Sequence, residues 1–348
     1  MSRALTVSID AMGGDAGPGV VVSALLKTIQ RHPDVNFLLH GDEAELNPLV
    51  ACQPKLVGRA TVCHASGRVT MEDKPSHVLR RGKDTSMWHT IESVKNGEAQ
   101  VAVSAGNTGA LMAVSMFGLG IIDGISRPAI ATIWPTLKGQ TVVLDVGANV
   151  SATEEQLVDF AVMGEAFAHA ILGLQRPTVG ILNVGAEEQK GNDGVKGAAQ
   201  ILRNSNLPMA FHGFVEGDDI AKGTVDVVVT DGFTGNIALK TAEGTARLVS
   251  AYLRQSLRRS LLGRLGAVIA SGALMTLRSK LDPRANAGGI FLGLNGIVVK
   301  SHGGVDAVGF ASAVDMAIDM AKADLNARIA TDRGRIAAET AGAKASEL

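Results

Sequence analysis

Short runs of β-branched residues alternate along the chain with longer segments in which apolar residues recur every three or four positions. The short runs predict strands, and the longer segments predict helices. The predicted strands are 5–9, 36–39, 60–64, 100–103, 129–133, 141–144, 178–182, 225–229, 290–292 and 297–300. The predicted helices are 19–31, 42–51, 76–81, 85–96, 110–119, 154–172, 194–203, 235–262 and 306–327.

This repeated alternation of strand and helix predicts an α/β fold with a doubly wound, mostly parallel sheet. The run 225–229 is apolar throughout, which is typical of a strand with helices on both faces. We expect one α/β domain over residues 1–330, with a helical hairpin inserted at 244–282 and a tail at 331–348.

Residues 101–122 carry no charge, and their length would suffice for a membrane-spanning helix. The polar turn Ser104-Ala-Gly-Asn-Thr-Gly109 interrupts this run near its start. We therefore interpret the segment as a buried strand, a turn and a buried helix.

Composition excludes several classes of protein. The 348 residues are 46% hydrophobic with a net charge of −1, which excludes a disordered chain and disfavours a nucleic-acid partner. Two cysteines, Cys52 and Cys63, exclude a disulfide framework. The first residues lack the apolar region of a signal peptide, so we expect a cytoplasmic protein.

Six predicted strands run into glycine-containing turns that carry Asp, Asn, His or Lys. Ligands of open parallel sheets bind beyond the carboxyl ends of the strands, and helix N-termini attract anions there. The turns therefore favour an anion pocket, although glycine turns also serve simply to connect strands. They lie at 9–15, 103–109, 144–149, 182–193, 229–236 and 299–304.

The turns contain no dinucleotide fingerprint and no Walker A motif, and the chain has no nucleophile elbow. The histidines do not have metal-ligand spacing. We therefore expect no cofactor and no metal, and a chemistry that depends on positioning and electrostatics.

Lys190 lies in a loop rich in Gly and Asn and is a candidate phosphate ligand, or else a solvated surface lysine. His302 is a candidate general base or a candidate hydrogen-bond donor to phosphate, or else a structural histidine. Asp10, Asp145 and Asp231 follow strands, where a carboxylate often caps backbone N–H groups.

A second signal is electrostatic. Residues 244–281 contain seven basic residues and no acidic one, and leucines recur there every four positions. Gly263 and Gly266 predict a bend. This pattern is typical of a hairpin that lies on a membrane surface, but equally of one that packs on the domain or on another subunit. The expected membrane-facing residues are Leu253, Leu257, Arg258, Leu261 and Leu265.

Together the motifs resemble the PlsX family, the bacterial phosphate acyltransferases of phospholipid synthesis. The resemblance covers residues 5 to 325. Val150-Ser-Ala-Thr153 departs from the family, which often has an acidic residue and a proline there. The motifs that carry the resemblance are Asp10–Asp15, Met71–Pro75 with Arg80-Arg81, Ser104–Ala110, Asp145–Asn149, Asn183–Asn192, Asp231–Asn236 and Lys300–Gly303.

The resemblance implies that acyl-[acyl carrier protein] and inorganic phosphate react to give acyl phosphate, which a membrane acyltransferase then uses for phosphatidic acid synthesis. It implies a fold similar to phosphotransacetylases and isopropylmalate-type dehydrogenases, and a homodimer. From the basic hairpin we also expect peripheral association with the anionic inner face of the cell membrane. The expected catalytic residues are Lys190, Asn236 and His302. The expected phosphate-binding residues are Asp10, Gly13, Gly14, Asp15, Asn107, Thr108, Asn149, Asn192, Asp231 and Thr234.

Other functions remain open at this point. A soluble phosphotransacetylase acting on acyl-CoA would share the anion pocket and would not need the basic hairpin. A decarboxylating dehydrogenase would need a metal-binding acid cluster and a nucleotide, and a membrane scaffold would need neither Lys190 nor Asn236. For docking of the acidic carrier protein, Arg80, Arg81 and Lys83 are candidates, as are the hairpin arginines.

Overall fold

The structure, a computed structural model, describes residues 4–280, 288–323 and 325–334. The strands are β1 (Thr6–Asp10), β2 (Asn36–Gly41), β3 (Ala60–His64), β4 (Val101–Ser104), β5 (Ala129–Thr136), β6 (Gly139–Leu144), β7 (Thr178–Leu182), β8 (Ala210–Val215), β9 (Val227–Val229), β10 (Gly288–Leu292) and β11 (Ile297–Ser301). The helices are α1 (Pro18–Arg31), α2 (Glu43–Ala51), α3 (Pro75–Arg81), α4 (Ser86–Lys95), α5 (Thr108–Leu119), α6 (Glu154–Leu172), α7 (Asp193–Asn204), α8 (Gly217–Lys222), α9 (Gly232–Arg258), α10 (Leu261–Ile269), α11 (Ser271–Lys280) and α12 (Ala307–Lys322). Residues 325–334 are also helical.

The strands form one sheet in the order β3-β2-β1-β4-β11-β10-β5-β6-β9-β7-β8. Neighbouring strands are parallel except around β10 and β5, where the pairs β11–β10, β10–β5 and β5–β6 are antiparallel. The predicted mostly parallel α/β sheet is thus confirmed, and a short antiparallel section joins its two parallel halves.

Helices cover both faces of this sheet, as the apolar strands predicted. Val101 and Val103 of β4 belong to the core packed by α1, α6 and α12. Ala102, between them, belongs to a second core packed by α4 and α5. Side chains alternate between the faces of a strand, so one four-residue strand contributes to two cores.

The predicted strands are all present, with ends that shift by up to three residues. Two elements are missed. Strand β8 lies at the sheet edge, and His212 and Gly213 break its apolar pattern. Helix α8 has six residues, too few to show a helical period. The uncharged segment 101–122 forms β4 and α5, as interpreted from its polar turn.

Three consecutive helices, α9, α10 and α11, occupy the segment predicted as a two-helix hairpin. The predicted bend at Gly263 and Gly266 is wrong, because both glycines lie inside α10. The chain instead breaks at Ser260, whose hydroxyl accepts a hydrogen bond from the Gly263 N–H at 2.9 Å. The predicted helix 235–262 therefore ends early, at Arg258.

Part of this segment lies outside the described residues. That part comprises residues 281–287 and the side chains of Arg278 and Lys280, which were two of the seven basic residues in the charge pattern. Among the residues that are described, no helix is long and apolar enough to cross a membrane.

The helical residues 325–334 are held against α6 by ion pairs. Arg333 Nε lies 2.8 Å from Asp159 Oδ1, and Arg328 lies 2.8 Å from Glu165 Oε1. Both carboxylates belong to side chains that are only 1% exposed. The tail predicted to start at 331 thus begins inside a helix that is fastened to the domain, while residues 335–348 lie outside the described range.

We predict that Arg333→Ala lowers the free energy of unfolding by about 3 kcal/mol, because it leaves the buried Asp159 carboxylate without its cation. Urea unfolding followed by circular dichroism measures this change. Arg203→Ala is the matched control. It removes an exposed pair with Glu188 at 3.2 Å and should change stability by less than about 1 kcal/mol. Equal effects of the two substitutions would contradict a stabilising role of the Arg333–Asp159 ion pair.

Candidate active site

Four residues stand in one row across the centre of the sheet. Asp10 of β1 pairs in register with Ser104 of β4, and Ser104 pairs with Lys300 of β11. Lys300 in turn pairs with Gly289 of β10. Residues paired in this way present their side chains on the same face, so the carboxylate, hydroxyl and ammonium groups lie side by side where β1, β4 and β11 end.

Asp10 occupies one end of the row and is 1% exposed. The hydroxyls of Ser86 and Ser104 donate to its two carboxylate oxygens at 2.6 Å each. Burial raises the pKa of Asp10, and these hydrogen bonds partly offset that effect. The carboxylate is thereby committed to joining α4 and β4 rather than to holding a ligand.

The turn after β1 packs against two other turns predicted to form the pocket. Gly13 and Gly14 lie against Gly106 and Gly303, respectively. The Asp15 N–H donates to the Gly303 carbonyl at 2.9 Å. The turns that follow β1, β4 and β11 therefore meet at one place, as expected for neighbouring parallel strands.

Lys300 is a largely buried cation at this meeting point. Its ammonium donates to the carbonyls of Ala105 (at 3.3 Å) and Ser301. Burial lowers the pKa of Lys300 to about 8, and nearby Asp10 and Asp15 counteract part of that shift. A lysine of this kind is charged near neutral pH and incompletely solvated, which strengthens its attraction for an anion.

Helix α9 adds a charged face opposite Lys300. Glu243 is mostly buried and lies 3.0 Å from Lys240 Nζ, 3.3 Å from an Arg247 guanidinium nitrogen and 3.7 Å from His302 Nε2. Burial lowers the pKa of His302, Glu243 raises it, and the surrounding cations lower it further. Lys240, Arg247 and Lys300 thus bring three positive charges to this place, and Glu243 brings a negative one.

The start of α9 is held against the turn after β6. The Asp145 carboxylate accepts hydrogen bonds from four backbone N–H groups of that turn and its neighbour β5 at 2.7–3.1 Å. A Cβ at Gly235 would lie 2.0 Å from the Asp145 carbonyl oxygen, so only glycine permits this approach. The close contact brings the next residue, Asn236, to the edge of the site.

These groups line one end of a cleft of about 1250 Å³ between α9 and strand β5. We call this end, formed by Thr108, Asn236, Lys240, Lys300 and His302, the polar end. From there the cleft continues along α9, where apolar side chains make up much of the lining and Thr241, Thr245, Ser250 and Arg254 also border it. We call that part the apolar arm, and its lining includes Ile130, Trp134, Ile220, Leu239, Ala246 and Val249.

The structure brings some of the predicted site residues together. Thr108, Asn236 and His302 line the polar end. Thr108 is also the first residue of α5, whose N-terminus carries the partial positive charge that attracts anions. Asp10, Gly13, Gly14 and Asp15 form the turn beside Lys300.

Other predicted phosphate ligands make hydrogen bonds that hold the turns, and their role as ligands stays a prediction. Asn149 donates both of its amide hydrogens inward, to Pro128 O and Asp145 Oδ2 at 2.9 Å each, which leaves its side chain no donor for an anion. Asn107 caps α5 and donates to the Met71 and Asp73 carbonyls. The two remaining side chains cap helices, Asn192 at α7 and Asp231, bonded to Thr234, at α9.

Lys190 does not line the cleft. Its ammonium lies 2.8 Å from Glu187 in an exposed loop after β7, and β7 is five strands away from β11 in the sheet. The loop has the same composition as the other turns, so sequence alone did not separate it from them. The catalytic role of Lys190 stays a prediction.

Sequence reasoning did not select Lys300, Lys240, Glu243 or Arg247 as catalytic or phosphate-binding residues. A signal for Lys300 existed, because it is the charged residue in the otherwise uncharged strand Ile297–Ser301. The other three have helical spacing, so they share one face of α9. That face could not be assigned to the site without knowing where α9 lies.

Comparisons with known proteins identify relatives of the whole chain. A family model described as "Fatty acid synthesis protein" matches residues 5–328. The chain is 57% identical to a phosphate acyltransferase of Parvibaculum lavamentivorans, over 98% of this chain and 94% of that protein.

Two solved structures have the same fold. A phosphotransacetylase from Streptococcus pyogenes aligns with a TM-score of 0.64 at 17% identity, covering 92% of this chain and 95% of that one. A putative 4-hydroxythreonine-4-phosphate dehydrogenase from Salmonella typhimurium aligns with a TM-score of 0.52 at 15% identity, covering 91% and 100%. At these identities the likeness concerns the fold, and it confirms the predicted phosphotransacetylase- and dehydrogenase-like architecture.

We predict that Asn149→Ala lowers the free energy of unfolding by about 1–3 kcal/mol, because the buried Asp145 carboxylate and Pro128 carbonyl each lose a donor. Asn236→Ala is the control. It removes a cleft-lining amide and should leave stability within about 0.5 kcal/mol of the wild type. Urea unfolding compares the two. A stable Asn149→Ala variant would show that this side chain is not needed to hold the turn.

Proposed function

The chain belongs to the PlsX family of phosphate acyltransferases, and from that membership we propose that its acyl donor is a long-chain acyl-[acyl carrier protein]. The protein is an acyltransferase of lipid biosynthesis that transfers an acyl group to inorganic phosphate. In this proposal, the acyl phosphate supplies a membrane acyltransferase for phosphatidic acid synthesis. The observation that carries the assignment of the site is the group of cations at the polar end of the cleft.

We place phosphate at the polar end, between Lys300 and the charged face of α9. A phosphate dianion there would meet the ammonium groups of Lys300 and Lys240 and the N-terminus of α5. Hydrogen bonds to charged groups are the strong ones, and they are stronger still where water is partly excluded. Glu243 keeps Lys240 and Arg247 in place while leaving the local charge positive.

The proposed reaction needs no covalent intermediate on the protein. An oxygen of the phosphate attacks the thioester carbonyl, the carbon–sulfur bond breaks, and the proton of the phosphate hydroxyl ends on the released thiol. His302, which its lowered pKa keeps neutral near pH 7, is suited to relay that proton. The Asn236 amide lies at the same end and is suited to donate to the developing oxyanion.

Positioning would supply much of the rate. Holding two reactants in attacking geometry is worth about 7–11 kcal/mol of the barrier. The in-register strands and the fixed start of α9 are suited to that role, because they hold the cations and Asn236 without using flexible loops.

We propose that the carrier protein docks on the exposed side chains Arg80, Arg81 and Lys83 at the end of α3. Helix α3 packs against α5, whose first residue lines the cleft, so this basic surface is connected to the site. An acidic partner is attracted by such a surface. Reversing these charges should raise KM for the acyl carrier protein and leave KM for phosphate unchanged, which steady-state kinetics measures.

We propose that α10 contacts the anionic inner face of the cell membrane. Leu261, Leu262 and Leu265 are 58–82% exposed, and Arg258 and Arg264 lie beside them. Exposed leucines next to arginines are typical of helices that bind at a lipid interface. Leu261→Glu with Leu265→Glu should abolish co-sedimentation with anionic vesicles and preserve acyl transfer. Unchanged binding would favour packing of α10 on a second copy of the chain, the homodimer that light scattering would detect.

A soluble phosphotransacetylase acting on acyl-CoA is the second candidate, and the fold shared with the Streptococcus pyogenes protein favours it. The donor distinguishes the two. Acyl phosphate formed from a long-chain acyl carrier protein supports the first function, and formation from short acyl-CoA alone supports the second. Trapping the product with hydroxylamine gives the same readout for both donors.

We predict that Lys300→Met lowers kcat/KM for phosphate by about 100-fold, because a methionine removes the buried cation while keeping the volume. Lys190→Met is the matched control and tests the role predicted from the sequence. The hydroxamate assay measures both variants. A loss of kcat/KM in Lys190→Met alone would assign the phosphate site to the loop after β7. Wild-type activity of Lys300→Met would show that Lys300 does not bind phosphate.

The pH dependence provides an independent readout for the same lysine. Because the pKa of Lys300 is about 8, wild-type kcat/KM for phosphate should fall as pH rises through that value and the ammonium loses its charge. Arginine stays charged far above this range, so Lys300→Arg should move the decline to higher pH. A decline at the same pH in both proteins would assign it to another group.

A further inference from the structure

The apolar arm has no role in binding phosphate, although it makes up much of the cleft. The whole cleft runs beside α9 from Asn236 at the polar end to Arg254, a distance of about 27 Å at the rise of an α-helix. Its opposite wall comes from β5, with Trp134 and Pro135, and from α8, with Ile220. An acetyl group would occupy only the beginning of such a length.

We propose that the apolar arm binds the acyl chain of the thioester, and that the position along α9 sets the longest chain accepted. This proposal rests on the proposed function, because it places the thioester carbonyl at the polar end. From there the apolar arm runs between α9 and β5. Its burial is favourable by about 25 cal/mol for each Å² removed from water, so affinity rises with chain length until the arm is filled.

The junction between the two parts of the cleft is kept open by a glycine. Gly289 pairs in register with Lys300, and a Cβ there would lie 2.8 Å from Ile130 Cγ2. Any side chain at 289 would therefore fill the passage between the ammonium and the first apolar residue of the arm. The opening is continuous with the site of attack, which favours a substrate chain over a second protein as its occupant.

The α9 wall is built to leave width. Ala238, Ala242 and Ala246 line the cleft at every fourth position, so the smallest apolar side chain recurs along one face. Larger residues there would close the arm. Val249 lies farther along the same wall and is 50% exposed, so its side chain is accessible to a ligand in the cleft.

Two tryptophan substitutions test the position dependence. Ala242 lies about 9 Å and Val249 about 20 Å beyond Asn236 along α9. Ala242→Trp should lower kcat/KM about tenfold or more for donors with eight or sixteen carbons, while four-carbon donors stay within twofold. Val249→Trp should lower kcat/KM about tenfold or more for sixteen-carbon donors. It should leave kcat/KM for eight-carbon donors within twofold of the wild type. KM for phosphate should stay within twofold in both.

Leu248→Trp is the matched control. Leu248 is the neighbour of Val249 on α9, is 51% exposed and does not line the cleft. It should show the wild-type chain-length profile. A loss of the same size for every donor length, or no loss, in Val249→Trp would overturn the proposal. A change in the molar mass of Val249→Trp by light scattering, with an unchanged chain-length profile, would also overturn the proposal. It would show that this face is an interface between copies of the chain.

A binding measurement separates failure of this proposal from failure of the proposed function. The probe is an unreactive palmitoyl thioether of pantetheine, followed by calorimetry without phosphate. Wild type and Leu248→Trp should bind it about tenfold more tightly than Val249→Trp does. Equal binding by all three proteins overturns the proposal that the apolar arm binds the acyl chain, even if the enzyme makes acyl phosphate. If no donor gives acyl phosphate but the variants still differ in binding, the proposed function is overturned. Binding of the acyl chain in the apolar arm is then still supported.

Discussion

The site depends on the register with which β11 lies between β4 and β10. That pairing puts Lys300 between Ser104 and Gly289. The Ser104 hydroxyl is hydrogen-bonded to Asp10, and Gly289 has no side chain. A shift of one residue would turn Lys300 to the opposite face, into the core packed by α12, where a cation has no partner. The register is therefore fixed by the two apolar faces of the sheet as much as by the polar row itself.

The electrostatics of the cleft follow from how its carboxylates are used. Asp10 and Asp145 are buried and bonded to hydroxyl and backbone groups, so their oxygens are engaged in holding the turns. Glu243 is paired with Lys240 and Arg247. Lys300 lacks such a partner at short range among the ion pairs of the described residues, and its neighbours are carbonyls. An anion is the group that would complete its coordination.

Most of the fold could be predicted from the sequence, and about half of the candidate site. Strands such as Ala60–His64 and Thr178–Leu182 are local patterns, and their ends are correct. The contact between the turns after β1, β4 and β11 followed from a rule for parallel sheets. The order of distant strands is not local. For that reason Lys190 looked equivalent to residues that lie five strands away, and Asn149, which resembles a ligand in sequence, proved to serve the Asp145 turn.

Helix α9 connects the parts of the proposed function, because successive stretches of it do different work. Its first turn is fixed against the Asp145 turn, and its next turns carry Lys240, Glu243 and Arg247. The alanines at 238, 242 and 246, which lie among these charged residues, form part of one wall of the apolar arm. Beyond Arg258 the chain continues into α10, where the exposed leucines lie. The proposed site and the proposed membrane contact therefore lie on one continuous stretch of chain, which Ser260 divides into two helices.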